Sequence, residues 1–236
     1  LDGTVENELF CMRLAARLGL AVPSVSRGSA GKTDFILVER YDRKASADGT
    51  ITKLHQEDFC QALSVPPELK YEEEGGPGVA ASQEVIQRHT RRPAADRLAF
   101  QRMLIFHYLV GNADAHAKNY ALLYNERVPD LAPLYDVVCT AAYPRLAKKL
   151  AMQIGGRGIP DTIQLEHWYT LVPSTRAAQR LLTTQLSELA SGIEPAADEL
   201  LTELKAEGID HPILETIRTV IAKRAAYIAK IVGKAG

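Results

Sequence analysis

The sequence predicts an α+β fold, mainly α, with a small β ribbon and hinge toward its N-terminal end. Three observations carry this reading. Helical spacing of apolar residues dominates everything after Gln164. A stretch after Pro93 is apolar almost all round, as a central buried helix requires. β-rich residues are confined to short runs such as Phe35–Tyr41 and Tyr120–Tyr124. With 236 residues the chain is long enough to bury a sizeable core.

The elements follow in order. Phe10, Leu14 and Leu18, widened by Cys11 and Ala15, predict a helix over residues 5–18, with Gly19 as its C-cap and Pro23 blocking continuation. Residues 24–33 read as a polar turn, and Phe35–Tyr41 as a buried strand. Asp48-Gly49 followed by Thr50–Leu54 suggests a hairpin return strand. From Gln56 the pattern turns helical through Phe59 and Leu63, until Pro66-Pro67 ends it. Tyr71 to Pro93 is the longest irregular stretch, broken by Gly75-Gly76-Pro77-Gly78, with a short helix near Ser82–Arg88. The apolar helix runs from Pro93 to about Leu109, and Tyr120–Tyr124, Leu131–Tyr135 and Leu150–Ile154 are short strand candidates. Helices are predicted over 164–171, 174–190, 194–206 and 211–233, with Ser174, Asp161 and Asp210 as candidate N-caps. The chain divides at this level into residues 1–60, holding the first helix, ribbon and hinge, and a mainly helical unit over 61–236.

Charge and cysteine usage narrow the function. The 28 Lys and Arg balance 29 Asp and Glu, for a net charge of −1, so a polybasic coat is not the basis of nucleic-acid or membrane binding. Cys11, Cys60 and Cys139 form no CxxC pair and fit a reducing cytosol. The start shows no basic and apolar leader, and no run reaches the 18 or so apolar residues of a membrane helix. The expectation is a soluble cytoplasmic protein without a membrane partner.

The densest polar cluster is Gly111-Asn112-Ala113-Asp114-Ala115-His116-Ala117-Lys118-Asn119, set between the buried helix and a strand. Such a loop is a rigid mount for chemistry. Asp can accept a hydroxyl proton, Lys can neutralise a phosphate oxygen and Asn can ligate a hard cation. A second carboxylate, Asp136, interrupts the apolar run Ala132–Val138, where a charge needs a cation or hydrogen bonds. The order resembles a protein-kinase site: a catalytic Asp, a metal-binding Asn five residues on, then a second metal-binding Asp after a hairpin. Asp114 and Asn119 have that offset, and Asp136 takes the third place, in Tyr-Asp-Val instead of Asp-Phe-Gly. Blander roles stay open for single residues: Asn112, Asp114 and Asn119 as turn and cap residues, His116 as a loop-orienting group, Lys118 as a solvated lysine, Asp136 as a helix N-cap.

At these residues the sequence resembles the HipA family of bacterial toxin–antitoxin Ser/Thr kinases. The resemblance extends to Asn7-Glu8 leading into Cys11–Ala15, Val38–Arg43, Leu54–Leu63, Lys70-Tyr71-Glu72 with Gly75-Gly76-Pro77, Leu131–Val137 and Leu150–Gly156. It spans residues 5–157 in the family's order, and beyond Gly158 only helical character matches. It implies a protein-kinase-like C-lobe that uses ATP and Mg²⁺. Asp114 would be the catalytic base, Asn119 and Asp136 the Mg²⁺ ligands, and His116 and Lys118 contacts to phosphates or loop-ordering groups. Glu39-Arg40-Tyr41 would be the hinge whose backbone meets adenine, with Gln56 lining the nucleotide site. It further implies a protein substrate, aminoacyl-tRNA synthetases among the family's examples, and a DNA-binding antitoxin partner through which DNA is met only indirectly. Family kinases carry an N-lobe with a phosphate-covering loop and a strand lysine ahead of the Asn-Glu helix. Residues 1–6 supply neither, so that lobe is expected on a longer chain or another polypeptide. Two other functions compete: a metal-dependent hydrolase with Asp114, His116 and Asp136 as ligands, and a non-catalytic module that binds an antitoxin through its helical half.

Overall fold

The structure is a computed structural model and describes residues 1–234. The first apolar stripe folds as α1 (Thr4–Arg17), and Gly19 follows its last turn at φ 74°, the left-handed conformation that ends helices. The chain then forms an antiparallel ribbon of β1 (Val25–Ala30) and β2 (Thr33–Val38), paired from Val25↔Val38 to Ala30↔Thr33. The expected polar turn is therefore largely a strand, and only Gly31-Lys32 turns. Backbone pairing builds this ribbon, and backbone pairing leaves little trace in side-chain polarity. Nor is Phe35–Tyr41 a buried strand: it pairs only with β1, and Leu37 is 54% exposed.

A second small hairpin joins β3 (Arg43–Ala45) to β4 (Ile51–Lys53). Asp48-Gly49 makes its turn as expected, with the Asp48 carboxylate accepting from Thr50 N at 2.9 Å, but the return strand pairs with residues 43–45 instead of 35–41. The helix expected from Gln56 is replaced at its start by β5 (His55–Asp58), and only α2 (Phe59–Ala62) is helical, capped by Asp58. The competing element is β6 (Ala121–Tyr124), whose open edge pairs with β5 and on its other side with β7 (Asp130–Leu131). The Leu131–Tyr135 strand stops after Leu131, and Leu150–Ile154 is no strand but leads into a turn closed by the Ile154–Arg157 bridge.

The irregular stretch holds α3 (Val79–His89), and α4 (Pro93–Val110) follows, with a continuous buried run from Met103 to Val110. Around α4 pack α3, α6 (Arg176–Ala206) and α7 (Pro212–Gly233), preceded by the short α5 (Leu165–Tyr169). The two helices expected over 174–206 are one, running through Pro195. Its buried stripe of Leu186, Leu189, Ile193, Ala197, Leu200 and Leu204 continues across the proline, so packing outweighs the lost backbone bond. The N-caps are Gln164, Thr175 and His211, one to three residues beyond those expected. α1 lies on α6 and α7, and its Leu9, Phe10 and Leu14 belong to the main core. Among the described residues no helix is long and apolar enough to cross a membrane.

Candidate active site

The loop after α4 is fixed from below. Gly111 ends the helix at φ 78°, where a Cβ would lie 2.6 Å from Val220 Cγ1. Asn112 then turns back: its Nδ2 donates to His107 Nδ1 at 3.1 Å, and its Oδ1 accepts from Asp114 N at 3.0 Å. Burial pushes the His107 pKa down to about 3, so the ring is neutral and can accept. Ala113 N donates to Thr140 Oγ1 at 2.8 Å, and His116 N donates to Asp114 O at 2.8 Å. Between Gly111 and Tyr120 every residue is buried except Lys118, which is half-buried, and Asp114, which is exposed. The Asp114 carboxylate is thus the one group this mount fully presents to solvent, beside a cavity of about 430 Å³ lined by Tyr71, Glu74, Asp114, Thr140 and Lys149.

Five residues on, Asn119 faces the second carboxylate. Its Nδ2 donates to Asp136 Oδ2 at 2.7 Å, while its Oδ1 accepts from His116 N at 3.1 Å. Asp136 is neither in a strand nor at a helix N-cap. It is exposed and left-handed at φ 56°, a conformation Asp tolerates better than most residues. What holds this segment is α1: Asn7 Oδ1 accepts from Cys139 N at 2.8 Å, and its Nδ2 donates to Cys139 O at 3.1 Å. Glu8, next along α1, has its pKa raised by burial and then by the negative charge of Asp136. The carboxylate oxygens of Asp136 and Glu8 are of the kind a hard divalent cation takes, whereas Asn119 turns its Nδ2 to Asp136 and its Oδ1 to His116 N.

His116 is buried, its ring edge-on to Tyr71 at 5.3 Å, and its pKa is lowered by burial and then by the Lys70 charge. Its Nδ1 has no partner among the described residues. Lys118 Nζ lies 3.6 Å from Asp58 Oδ2, so it is partly paired instead of free. The hydrolase grouping of Asp114, His116 and Asp136 is not formed: among the described residues no three His, Cys, Asp or Glu side chains converge on a metal position.

The hinge candidates reach this loop through Tyr135. Its hydroxyl donates to Lys118 O at 2.7 Å, and its ring lies 5.8 Å from that of Tyr41. Tyr41, Leu54 and Tyr135 pack on Ala121, Leu123 and Ala132, opposite Gln56, whose Oε1 is buried without a partner among the described residues. Burial and the neighbouring Asp42 push the Tyr41 pKa up to about 12. Asp42 is itself buried, and hydrogen bonds from Arg40 lower its pKa to about 2. Glu39 is the outlier: its N donates to Ser24 O at 2.9 Å and its carboxylate is bonded by the Ser24 hydroxyl, away from the loop residues.

Asn7, Glu8, Tyr71 and Tyr135 have no role assigned from the sequence, although each lies in a stretch that carries the family resemblance. For Asn7 a signal existed, since an amide on the same helical face as Phe10, Cys11 and Leu14 must find buried partners. For Tyr71 none did, because its partner is 43 residues away.

Against known proteins, a family model described as the HipA-like C-terminal domain matches residues 1–204. "Putative kinase Y4mE" of Sinorhizobium fredii is 42% identical over 96% of this chain and 54% of its own length. The serine/threonine-protein kinase toxin HipA of Shewanella oneidensis is 30% identical over 85% of this chain and 49% of its own length. This chain thus spans about half the length of these relatives. A solved complex of Shewanella oneidensis HipA with HipB and operator DNA aligns over 99% of this chain and 57% of that one, with TM-score 0.89 and 26% identity. The Helicobacter pylori proinflammatory kinase CtkA shares the fold, with TM-score 0.66 and 15% identity. The family model takes in most of the sequence and the named kinases share its fold, so the chain belongs to the HipA-like C-terminal domain family.

Proposed function

We propose that this chain is the catalytic half of a HipA-like serine/threonine protein kinase that transfers the ATP γ-phosphate to a protein hydroxyl. The observation that carries the reading is one loop presenting a single exposed carboxylate, Asp114, with an Asn119–Asp136 pair bonded at 2.7 Å at its far end. Asp114 accepts the proton of the acceptor hydroxyl, so that its oxygen attacks as the stronger nucleophile. Asp136 would hold Mg²⁺ through its carboxylate oxygens, and Asn119 would join it through Oδ1 by turning from its bonds to Asp136 and His116 N, with the Glu8 carboxyl nearby. Mg²⁺, when bound, neutralises charge on the transferring phosphates. Lys118 is placed to meet a phosphate oxygen only by leaving Asp58, and His116, neutral and buried under Tyr71, orders the loop.

Tyr41 and Tyr135, whose rings lie 5.8 Å apart, offer an aromatic surface for adenine, and Gln56, with its Oε1 buried, lines this side of the nucleotide site. Glu39 and Arg40 contribute by shaping the hinge backbone, since both side chains are engaged by neighbours. In the longer protein this half works with an N-lobe, and residues 1–60 form the junction to it. The HipA–HipB–DNA complex supports an antitoxin partner of the HipB type. A protein acceptor, such as an aminoacyl-tRNA synthetase, is what the family resemblance implies. The test is transfer of labelled γ-phosphate to protein by the full-length protein. Asp114→Ala is expected to lower it by about 100-fold or more while the protein stays folded. Undiminished transfer by that variant refutes the assignment of the base.

A further inference from the structure

Three stretches that stand out in the sequence, Lys70–Pro77, Asn112–Asn119 and Leu150–Gly156, are laced into one bracket. Glu72 N donates to Ala151 O at 3.2 Å, the Glu72 carboxylate accepts from Gln153 N at 2.5 Å, and Ala151 N donates to Ala113 O at 2.8 Å. Glu74 N and Gly76 N both donate to Tyr71 O, at 3.1 and 2.9 Å. A Cβ on Gly76 would lie 2.0 Å from Leu69 O, and one on Gly78 would lie 2.5 Å from the Glu72 carboxyl carbon, so the turn closes only around glycines. At its tip the Tyr71 hydroxyl donates to Asp114 Oδ1 at 2.9 Å. The Tyr71 ring is held in turn by the edge contact with His116 and by the Lys70 ammonium 4.9 Å from its centroid.

We propose that Tyr71 is a positioning residue for the acceptor carboxylate. An exposed aspartate samples several rotamers, and one hydrogen bond from a stiff mount selects among them. With Oδ1 held by Tyr71, Oδ2 is left for the acceptor hydroxyl entering the adjoining cavity, which Tyr71 and Asp114 line together. The bracket fixes the Tyr71 backbone, whose O accepts from both Glu74 N and Gly76 N, so the phenol leaves Asp114 only by a side-chain rotation that also gives up the His116 edge contact. The inference rests on Asp114 being the base. It also gives the Lys-Tyr-Glu and Gly-Gly-Pro stretch a task that the base, metal and hinge residues leave unassigned.

Tyr71→Phe in the full-length protein keeps the ring and removes only the hydroxyl. The expected result is a kcat for phosphoryl transfer lower by about tenfold, with KM for ATP and the thermal midpoint unchanged. In an Asp114→Asn background the same change is expected to add no further loss, since the group it positions is gone. A Tyr71→Phe protein with wild-type kcat, beside an Asp114→Asn protein that has lost activity, overturns the positioning role and leaves the base assignment standing. An equal loss in both backgrounds also overturns it, by marking Tyr71 as structural. Full activity of Asp114→Asn removes the base assignment and this inference together.

Discussion

The loop over residues 111–120 and the ribbon over residues 25–53 are held by different forces. The loop is nearly all buried and is pinned by four side chains from outside it: His107 on α4, and Tyr135, Asp136 and Thr140 on the segment after β7. The ribbon is held mainly by two backbone ladders and by ion pairs, of which only that of Asp42 is buried, with Leu37, Val38 and Ile51 exposed. A buried polar group that loses its partner keeps its full desolvation cost, whereas a surface group falls back on water. The loop should therefore respond sharply to single changes and the ribbon weakly.

The sharpest stability test is Asn7→Ala, which strips partners from the backbone N–H and C=O of Cys139 and so releases the segment that carries Asp136. A loss of about 2–4 kcal/mol in denaturant unfolding is expected. A loss below about 1 kcal/mol would show that water can replace the amide, and the contrast between the two regions would weaken. Next comes pH. The folded pKa of His107 is depressed to about 3 from an ordinary 6.5, so the folded state binds the proton less well than the unfolded one. Its contribution is present above pH 6.5 and is lost as pH falls toward 3. His107→Gln can still accept from Asn112 but cannot titrate, so it should flatten this acid limb by up to about 1.4 kcal/mol per pH unit. An unchanged slope would mean that the ring charges in place. The smallest effect is expected in the ribbon, where Leu37→Ser at a 54%-exposed position should stay within about 0.5 kcal/mol. A cost above about 2 kcal/mol would place the ribbon in the cooperative core after all.

The same division decides what the sequence could disclose. The central helix, the α7 stripe and the polar loop were legible because each is written in local periodicity or in a dense run of functional side chains. The structure brings Asn119 and Asp136 into contact and leaves Asp114 apart from them, exposed on the same loop as Asn119. The ribbon misled because Val25–Ala30 is polar and glycine-containing, and its strand exists only through pairing with β2. The strand at His55–Asp58 was hidden by a helical pattern, since its partner β6 lies more than 60 residues further on. Asp136 was legible as a residue but not as a conformation, because the segment that follows its left-handed turn is held at Cys139 by Asn7 on a distant helix. The role of Tyr71 is hidden for the same reason: the group it bonds is remote in the chain.

The most direct test of the central claim compares Asp114→Ala with Asp136→Ala in the full-length protein, measuring Mg²⁺-dependent ATP binding by calorimetry and labelled transfer side by side. Asp114→Ala should lose transfer and keep Mg²⁺-dependent binding, while Asp136→Ala should lose both. If Asp136→Ala binds ATP with undiminished Mg²⁺ dependence, or Asp114→Ala transfers phosphate like the wild type, the two carboxylates do not divide the work as proposed.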